Sequence, residues 1–436
     1  MILSFPQRYF MTDELYKPGG PVFLIVGGEG AADTVWLSRN VPWMKYAEKL
    51  GALCFFVEHR FYGQSRPTAD LSTSSLRYLS SRQALADLAN FRNVMAKKMG
   101  LTNNMWVTFG GSYAGALAVW LRMKYPDLFA VAVGSSAPLL AKVDFYEYLE
   151  VIQNSLAAHN SECPEMVRQA SDMVVEMLKS PENYDKLKRD FRVCETLQIN
   201  SEMDSAYFLD CLASPFMEAV QFNRQDTSFG DLLGTRITID DLCMIMTDVS
   251  LGSPYDRYAV ATQLVADKHS MPCRDSSYRK YVEVLADPSW EGPAAEGARQ
   301  WLYQTCTEFG FYPSSTSKNQ PFSGFPVRFF LQQCSDILGP EFNAISVAQA
   351  VEATNEFYGG LNVTGSKIVF ANGSIDPWHA LGVIKDISED LLAVYIEGEA
   401  HCANLYPAQN NDSVELTHAR EKIFEFLQKW LTNTSN

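Results

Sequence analysis

In the stretch WVTFGGSYAGALAVW, Trp106 to Trp120, an apolar run breaks into two glycines, a serine and a tyrosine, and small apolar residues follow. A serine hydroxyl is a weak nucleophile unless an oriented base takes its proton and a buried acid holds that base. The chain has six histidines to choose from: His59, His159, His269, His379, His401 and His418. His401 follows the strand-like LLAVYIEGEA, so it falls on a loop just past a strand's C-terminal end, where α/β sheets bind ligands. Asp376 follows KIVFANGS in the same way. Ser112, Asp376 and His401 are therefore the candidate nucleophile, acid and base of an acyl transfer. His379 shares the loop of Asp376 and is the weaker candidate for the base. His59, in EHRFYG, reads as a residue that fixes a loop, and His418 as a surface residue near the last helix.

The elements around Ser112 must hold its hydroxyl above a sheet. A serine on a tight strand-to-helix turn adopts a strained backbone, and the strand and helix then come so close that bulky neighbours clash. Glycine two before Ser112 and Ala114 two after meet that demand, although the usual G-x-S-x-G pattern has glycine in the second place. The Tyr113 N–H, at the start of the helix, is positioned to stabilise an oxyanion. The loop VGGEGAA fails as a dinucleotide fingerprint, because Asp33 stands where the third glycine belongs. It can instead supply a second oxyanion donor near Gly28 and Glu29, with an ordinary turn as the plain alternative. The chain order Ser112, Asp376, His401 is that of an α/β-hydrolase.

GPVFLIVGGEG, GALCFFVEHRFYG, MWVTFGG and AVAVGSSAP read as buried strands, with helices over SRQALADLANFRNVMAKKM and SYAGALAVWLRMKYPDLF. This alternation predicts a parallel sheet covered on both faces. From about residue 142 to 355 the pattern turns to helices and loops, and then strand signals resume. The expected fold is an α/β domain over 1–141 and 356–436, split by a helical insertion over 142–355. Met166, Ala170, Met173, Val174 and Met177 form an apolar stripe there and read as packing. In the final helix Ile423, Leu427, Trp430 and Leu431 share one face. Seven of nine cysteines (Cys163, Cys194, Cys211, Cys243, Cys273, Cys306 and Cys334) lie in the insertion, which fits a disulfide framework with one left over. Buried free thiols are the alternative.

A formal net charge of −15 argues against nucleic-acid binding, since no basic surplus exists to neutralise phosphates. No apolar run is long enough to span a bilayer. There is no H-E-x-x-H, no CxxC and no close His/Cys cluster, so neither a metal nor a cofactor is expected. Cys402, next to His401, is expected to point away from the site. Sequons at Asn362, Asn372, Asn411 and Asn433 lean toward a secretory route, yet the first residues do not form a signal peptide. The expectation is a sequence that begins after, or without, its true start. A homodimer is one expected assembly, and the sequence does not fix it.

GGEG, EHRFYGQSRP, LSSRQALADLANF, FGGSYAGALAVW, SSAP, WLYQTCTEFGFY, NGSIDPWH and EGEAHCANL together resemble the S28 serine peptidases over nearly the whole chain. The resemblance implies an α/β-hydrolase domain under a helical cap. It also implies secretory, often lysosomal, glycoproteins that cleave peptides near an end at proline or small residues. By motif it carries the nucleophile to Ser112, the acid to Asp376 and the base to His401. Trp378, after the D-P step, becomes a candidate wall of the substrate pocket, with ordinary packing as the alternative. One departure stands out: after the base histidine the chain reads HCANL, with Asn404 near the place where the family commonly has aspartate. The sequence thus favours a serine exopeptidase. An esterase or lipase on the same scaffold, or a catalytically weak peptide-binding protein, are the other readings.

Overall fold

Short apolar runs bounded by glycine or proline turns form the strands, because both faces of this sheet are buried. The computed structural model describes residues 4–224 and 237–432. In chain order the strands are β1 (Tyr9–Thr12), β2 (Val22–Val26), β3 (Leu53–Val57), β4 (Trp106–Gly111), β5 (Val131–Ser135), β6 (Lys142–Asp144), β7 (Gly310–Tyr312), β8 (Ile368–Gly373) and β9 (Leu391–Ile396). Seven of them make one sheet in the order β1-β3-β2-β4-β5-β8-β9, while β6 and β7 pair separately. From β3 to β9 all neighbours are parallel. The expected all-parallel sheet needs one correction: β1 lies antiparallel on β3, with Tyr9 opposite Val57. Its four residues alternate between exposed and half-buried, as an edge strand does, and so lack a continuous apolar signal.

Side chains alternate across a strand, so each strand feeds two cores. Val22, Leu24 and Val26 pack with Leu85 and Leu88 of the helix Ser81–Met99 and with Leu117 of the helix Tyr113–Lys124. Phe23 and Ile25 face the opposite way, toward Trp43 of the helix Pro42–Leu50 and Ile423 and Leu427 of the helix Val414–Thr432. Ile423, Leu427, Trp430 and Leu431 are all buried, as their spacing requires.

The residues between β5 and β8 are mainly helical, and the boundary expected at 355 falls inside the helix Ala344–Tyr358. Disulfides Cys163–Cys243, Cys194–Cys273 and Cys306–Cys334 cross-link this insertion. Cys211 is the thiol left over, and burial pushes it up to about 12. In the helix Cys163–Leu178 the buried face is Val167, Ala170, Ser171, Val174 and Leu178. Met173 is 40% exposed, so the expected methionine stripe was rotated from the true one. The helix Glu202–Gln221 contains Pro215, which has no N–H for the Cys211 carbonyl one turn back. Arg274 Nη1 donates to that carbonyl at 2.9 Å instead, and the helix runs on to the site. Among the described residues no helix is long and apolar enough to cross a membrane. Asn362 and Asn411 are exposed, Asn372 is 2% exposed and donates to the Val383 carbonyl, and Asn433 lies outside the described residues.

Candidate active site

β4 runs directly into the helix Tyr113–Lys124, and Ser112 is the single residue between them. Its backbone has φ 58° and ψ −131°, a conformation that costs a non-glycine residue about 1–3 kcal/mol. The cost is met by fixation on both sides. Ser112 N–H donates to the Ser135 carbonyl at 2.9 Å, and the Ser112 carbonyl accepts from Ala116 N–H at 3.1 Å. The crowding explains the small residues. A Cβ on Gly110 would lie 2.1 Å from the Ala114 carbonyl oxygen, and one on Gly28 would lie 3.3 Å from the Ala114 Cβ. Alanine at 114 therefore fills the last space between the Ser112 turn and the glycine loop after β2. Tyr113 opens the helix, and an N–H in that first turn has no intrahelical acceptor.

Asp376 and His401 follow β8 and β9, two neighbouring strands whose parallel pairing brings their C-terminal ends together. His401 Nδ1 lies 2.8 Å from Asp376 Oδ1, and the same oxygen accepts the Trp378 N–H at 3.0 Å. Both residues are buried, Asp376 at 0% and His401 at 5% exposed. Burial pulls the His401 pKa down, but the Asp376 carboxylate and the Cys402 side chain outweigh it and hold His401 well above the ordinary imidazole value. With Nδ1 on the acid, proton exchange falls to Nε2. His379 instead turns Nδ1 to the Asp376 backbone carbonyl at 2.7 Å, and the exposed His418 sits in the last helix. The His401 loop is tied to β5 and the residue after it: Cys402 N–H donates to Ser136 Oγ, and Asn404 Nδ2 to Ser135 Oγ, both at 2.8 Å. Asn404, the departure from the family pattern, thus has a holding role in this loop.

Ser112 and His401 line one cavity of about 410 Å³, together with Gly28, Glu29, Gly30, Trp36, Trp43, Gln221, Phe222, Cys402 and Tyr406. Ala32 N–H donates to the buried Glu58 carboxylate at 3.0 Å, which anchors the loop carrying Gly28 and Glu29. Burial raises the Glu29 carboxyl, and its own backbone N–H and the charge of His401 partly offset that rise. Cys402 does not point away, as expected from its place beside His401. Its backbone turns left-handed at φ 58°, which puts the sulfur 3.8 Å from the Ser135 carbonyl and on the cavity wall. Trp378 packs among Phe145, Tyr148 and Phe311, with its ring 6.3 Å from that of His401, and is not among the residues lining the cavity.

Behind Ser112 runs a hydrogen-bond chain that residue order does not reveal. His59 Nδ1 faces the Arg60 carbonyl at 2.7 Å, so it carries the hydrogen, and Nε2 accepts from the Tyr113 hydroxyl at 3.0 Å. Burial lowers His59 to about 4, which keeps the ring neutral. Gln304 Nε2 donates to the Tyr113 hydroxyl at 2.9 Å, while its Oε1 accepts from Tyr62 at 2.5 Å. Gln304 and the loop-fixing His59 meet at the Tyr113 hydroxyl, and Gln221 reaches the cavity separately, each from a distant segment. EHRFYG contains His59 and WLYQTCTEFGFY contains Gln304, but neither motif names the partner, and Gln221 lies in none.

A mostly parallel sheet of this order, with a strained serine after β4, an acid after β8 and a histidine after β9, defines an α/β-hydrolase. The chain belongs to the serine carboxypeptidase S28 family, whose model matches residues 3–423, and it is a serine-type peptidase. It is 36% identical to mouse (Mus musculus) thymus-specific serine protease over 443 residues, covering 98% of this chain and 84% of that protein. The human (Homo sapiens) thymus-specific serine protease is 36% identical over 442 residues, covering 98% and 83%. Bovine (Bos taurus) lysosomal Pro-X carboxypeptidase is 27% identical over 443 residues, covering 99% and 85%.

Proposed function

We propose that this peptidase is an exopeptidase that works through an acyl-enzyme on Ser112, with His401 as base and Asp376 as the acid that orients it. The observation that carries the reading is the 2.8 Å contact of Asp376 with His401, on a cavity that the strained Ser112 shares. Ser112 Oγ attacks the scissile carbonyl carbon while His401 Nε2 takes its proton. The oxyanion forms beside the N–H of Tyr113 and the loop N–H groups at Gly28 and Glu29. His401 returns the proton to the leaving amine, and water then hydrolyses the ester by the same steps in reverse roles.

The helical insertion over the site favours chain ends over long internal segments. The printed name of the bovine relative supports cleavage next to proline. Three disulfides and that relative's lysosomal name support a secretory or lysosomal setting, with Asn362 and Asn411 as accessible glycan sites and Asn433 as a further sequon. The test is fluorophosphonate labelling of the disulfide-intact protein. Label is expected on the wild type and absent from Ser112→Ala; an unlabelled wild type would count against the serine mechanism. Mass analysis of a small X-Pro-X peptide library then shows which end is removed.

A further inference from the structure

Gln221 reaches the site from outside the hydrolase sheet, as the last residue of the cap helix Glu202–Gln221. A helix C-terminus leaves its final carbonyls without intrahelical donors. Here the backbone N–H of His401 donates to the Gln221 carbonyl at 2.9 Å, so the cap helix holds the base residue directly. The side chain makes a second link. Its Oε1 accepts the Trp378 indole N–H at 3.1 Å and the Tyr148 hydroxyl at 2.5 Å.

These two bonds fix which way the amide faces. An indole N–H can only donate, so the atom opposite Trp378 is the amide oxygen, and the NH₂ group occupies the other position. Among the described residues that NH₂ group makes no hydrogen bond. Gln221 nevertheless lines the cavity beside Gly28, Ser112 and His401. A half-buried amide locked at its oxygen, with two donors unused at a substrate cavity, gains a hydrogen bond when a ligand brings an oxygen there. A bound peptide presents a carbonyl oxygen at every residue. No lysine or arginine stands among the described lining residues, so a neutral carbonyl suits this donor better than a carboxylate.

We propose that Gln221 is a substrate-binding residue, donating from its side-chain NH₂ to a backbone carbonyl oxygen of the peptide next to the scissile bond. This rests on the peptidase reading of the cavity and adds that the cap supplies a recognition group of its own. The cap and the catalytic residues then act on the same stretch of substrate.

Two variants separate the donor role from the acceptor role toward Trp378 and Tyr148. Gln221→Glu keeps an oxygen for both partners but has no donor once ionised. Gln221→Met, of similar length, keeps neither. On the pH plateau of each variant, kcat/KM for a proline-containing peptide is expected to fall about tenfold further than kcat/KM for p-nitrophenyl acetate, which has no second carbonyl. Both variants should show this excess. A Gln221→Glu protein with the wild-type peptide-to-ester ratio overturns the proposal, and so do equal losses on both substrates. Calorimetric binding of the same peptide to Ser112→Ala, with and without Gln221→Glu, reads the contact without turnover. Unchanged affinity there also overturns it, whereas an unlabelled wild type in the fluorophosphonate assay counts against Ser112 as nucleophile instead.

Discussion

Asp376 does two things to His401: it holds Nδ1 at 2.8 Å, and its charge favours the protonated ring. In the proposed mechanism His401 must be neutral to accept the Ser112 proton, so activity should rise as pH climbs through the raised His401 value. Asp376→Asn keeps the shape and removes the charge. It is expected to lower kcat about 10⁴-fold. The residual activity should also persist to lower pH, because His401 then loses its proton more readily; a kcat-against-pH profile reads both effects. An acid limb that stays in place would mean that some other group sets it. The positions of Asp376 and His401 were legible because each directly follows an apolar strand. Gln221 was not legible, since nothing in a helix's last residue says what it will touch.

At the scale of elements, β4 and the helix after it meet with almost no space between them. Gly110→Ala would place a methyl 2.1 Å from the Ala114 carbonyl oxygen, which neither backbone can vacate cheaply. A loss of about 1–3 kcal/mol or more is expected in urea unfolding, with slower labelling of Ser112 as the turn shifts. The insertion is held differently. Cys163–Cys243 joins residues 80 apart, so replacing both cysteines by alanine should cost about 2–4 kcal/mol. Thermal unfolding in the oxidised state measures it, and an unchanged midpoint would show that packing alone secures these helices. Cysteine clustering foretold a framework in this segment, but pairing depends on which helices lie side by side. Periodicity likewise gave the helix Cys163–Leu178 but misjudged its buried face, because Val167 and Leu178 join a core built from residues distant in sequence.

The whole molecule carries an acidic surplus, 51 acidic against 36 basic residues, and buries a carboxyl that resists charge. Burial pushes Glu308 up to about 7, although it accepts from Ser81 N–H and Oγ. In the unfolded chain that carboxyl stays ionised down to about 4.3. The folded state therefore binds more protons between those values, and stability rises as pH falls through about 7. Buried His59 acts in the opposite sense, yet only below the ordinary imidazole value of about 6.5, where the unfolded chain gains a proton the folded ring refuses until about 4. Asp210, raised to about 7 by burial, and the raised His401 act in the same sense as Glu308. The thermal midpoint is thus expected to be higher at pH 6.5 than at pH 8, and Glu308→Gln should reduce that rise by the equivalent of about 1 kcal/mol without abolishing it. A wild-type midpoint that falls over this interval would contradict it.

Sequence by itself determined the alternation of strands and helices, the strained serine turn and the places of Asp376 and His401 past two strand ends. These depend on local rules: continuous apolar runs, small residues at a tight turn, and chain order along a parallel sheet. The antiparallel edge β1, the inward turn of Cys402, the chain from Tyr62 to His59 and the grip of Gln221 on the base loop were decided only by tertiary structure. Each depends on which distant segments come to lie a few ångströms apart, and no local pattern encodes that distance.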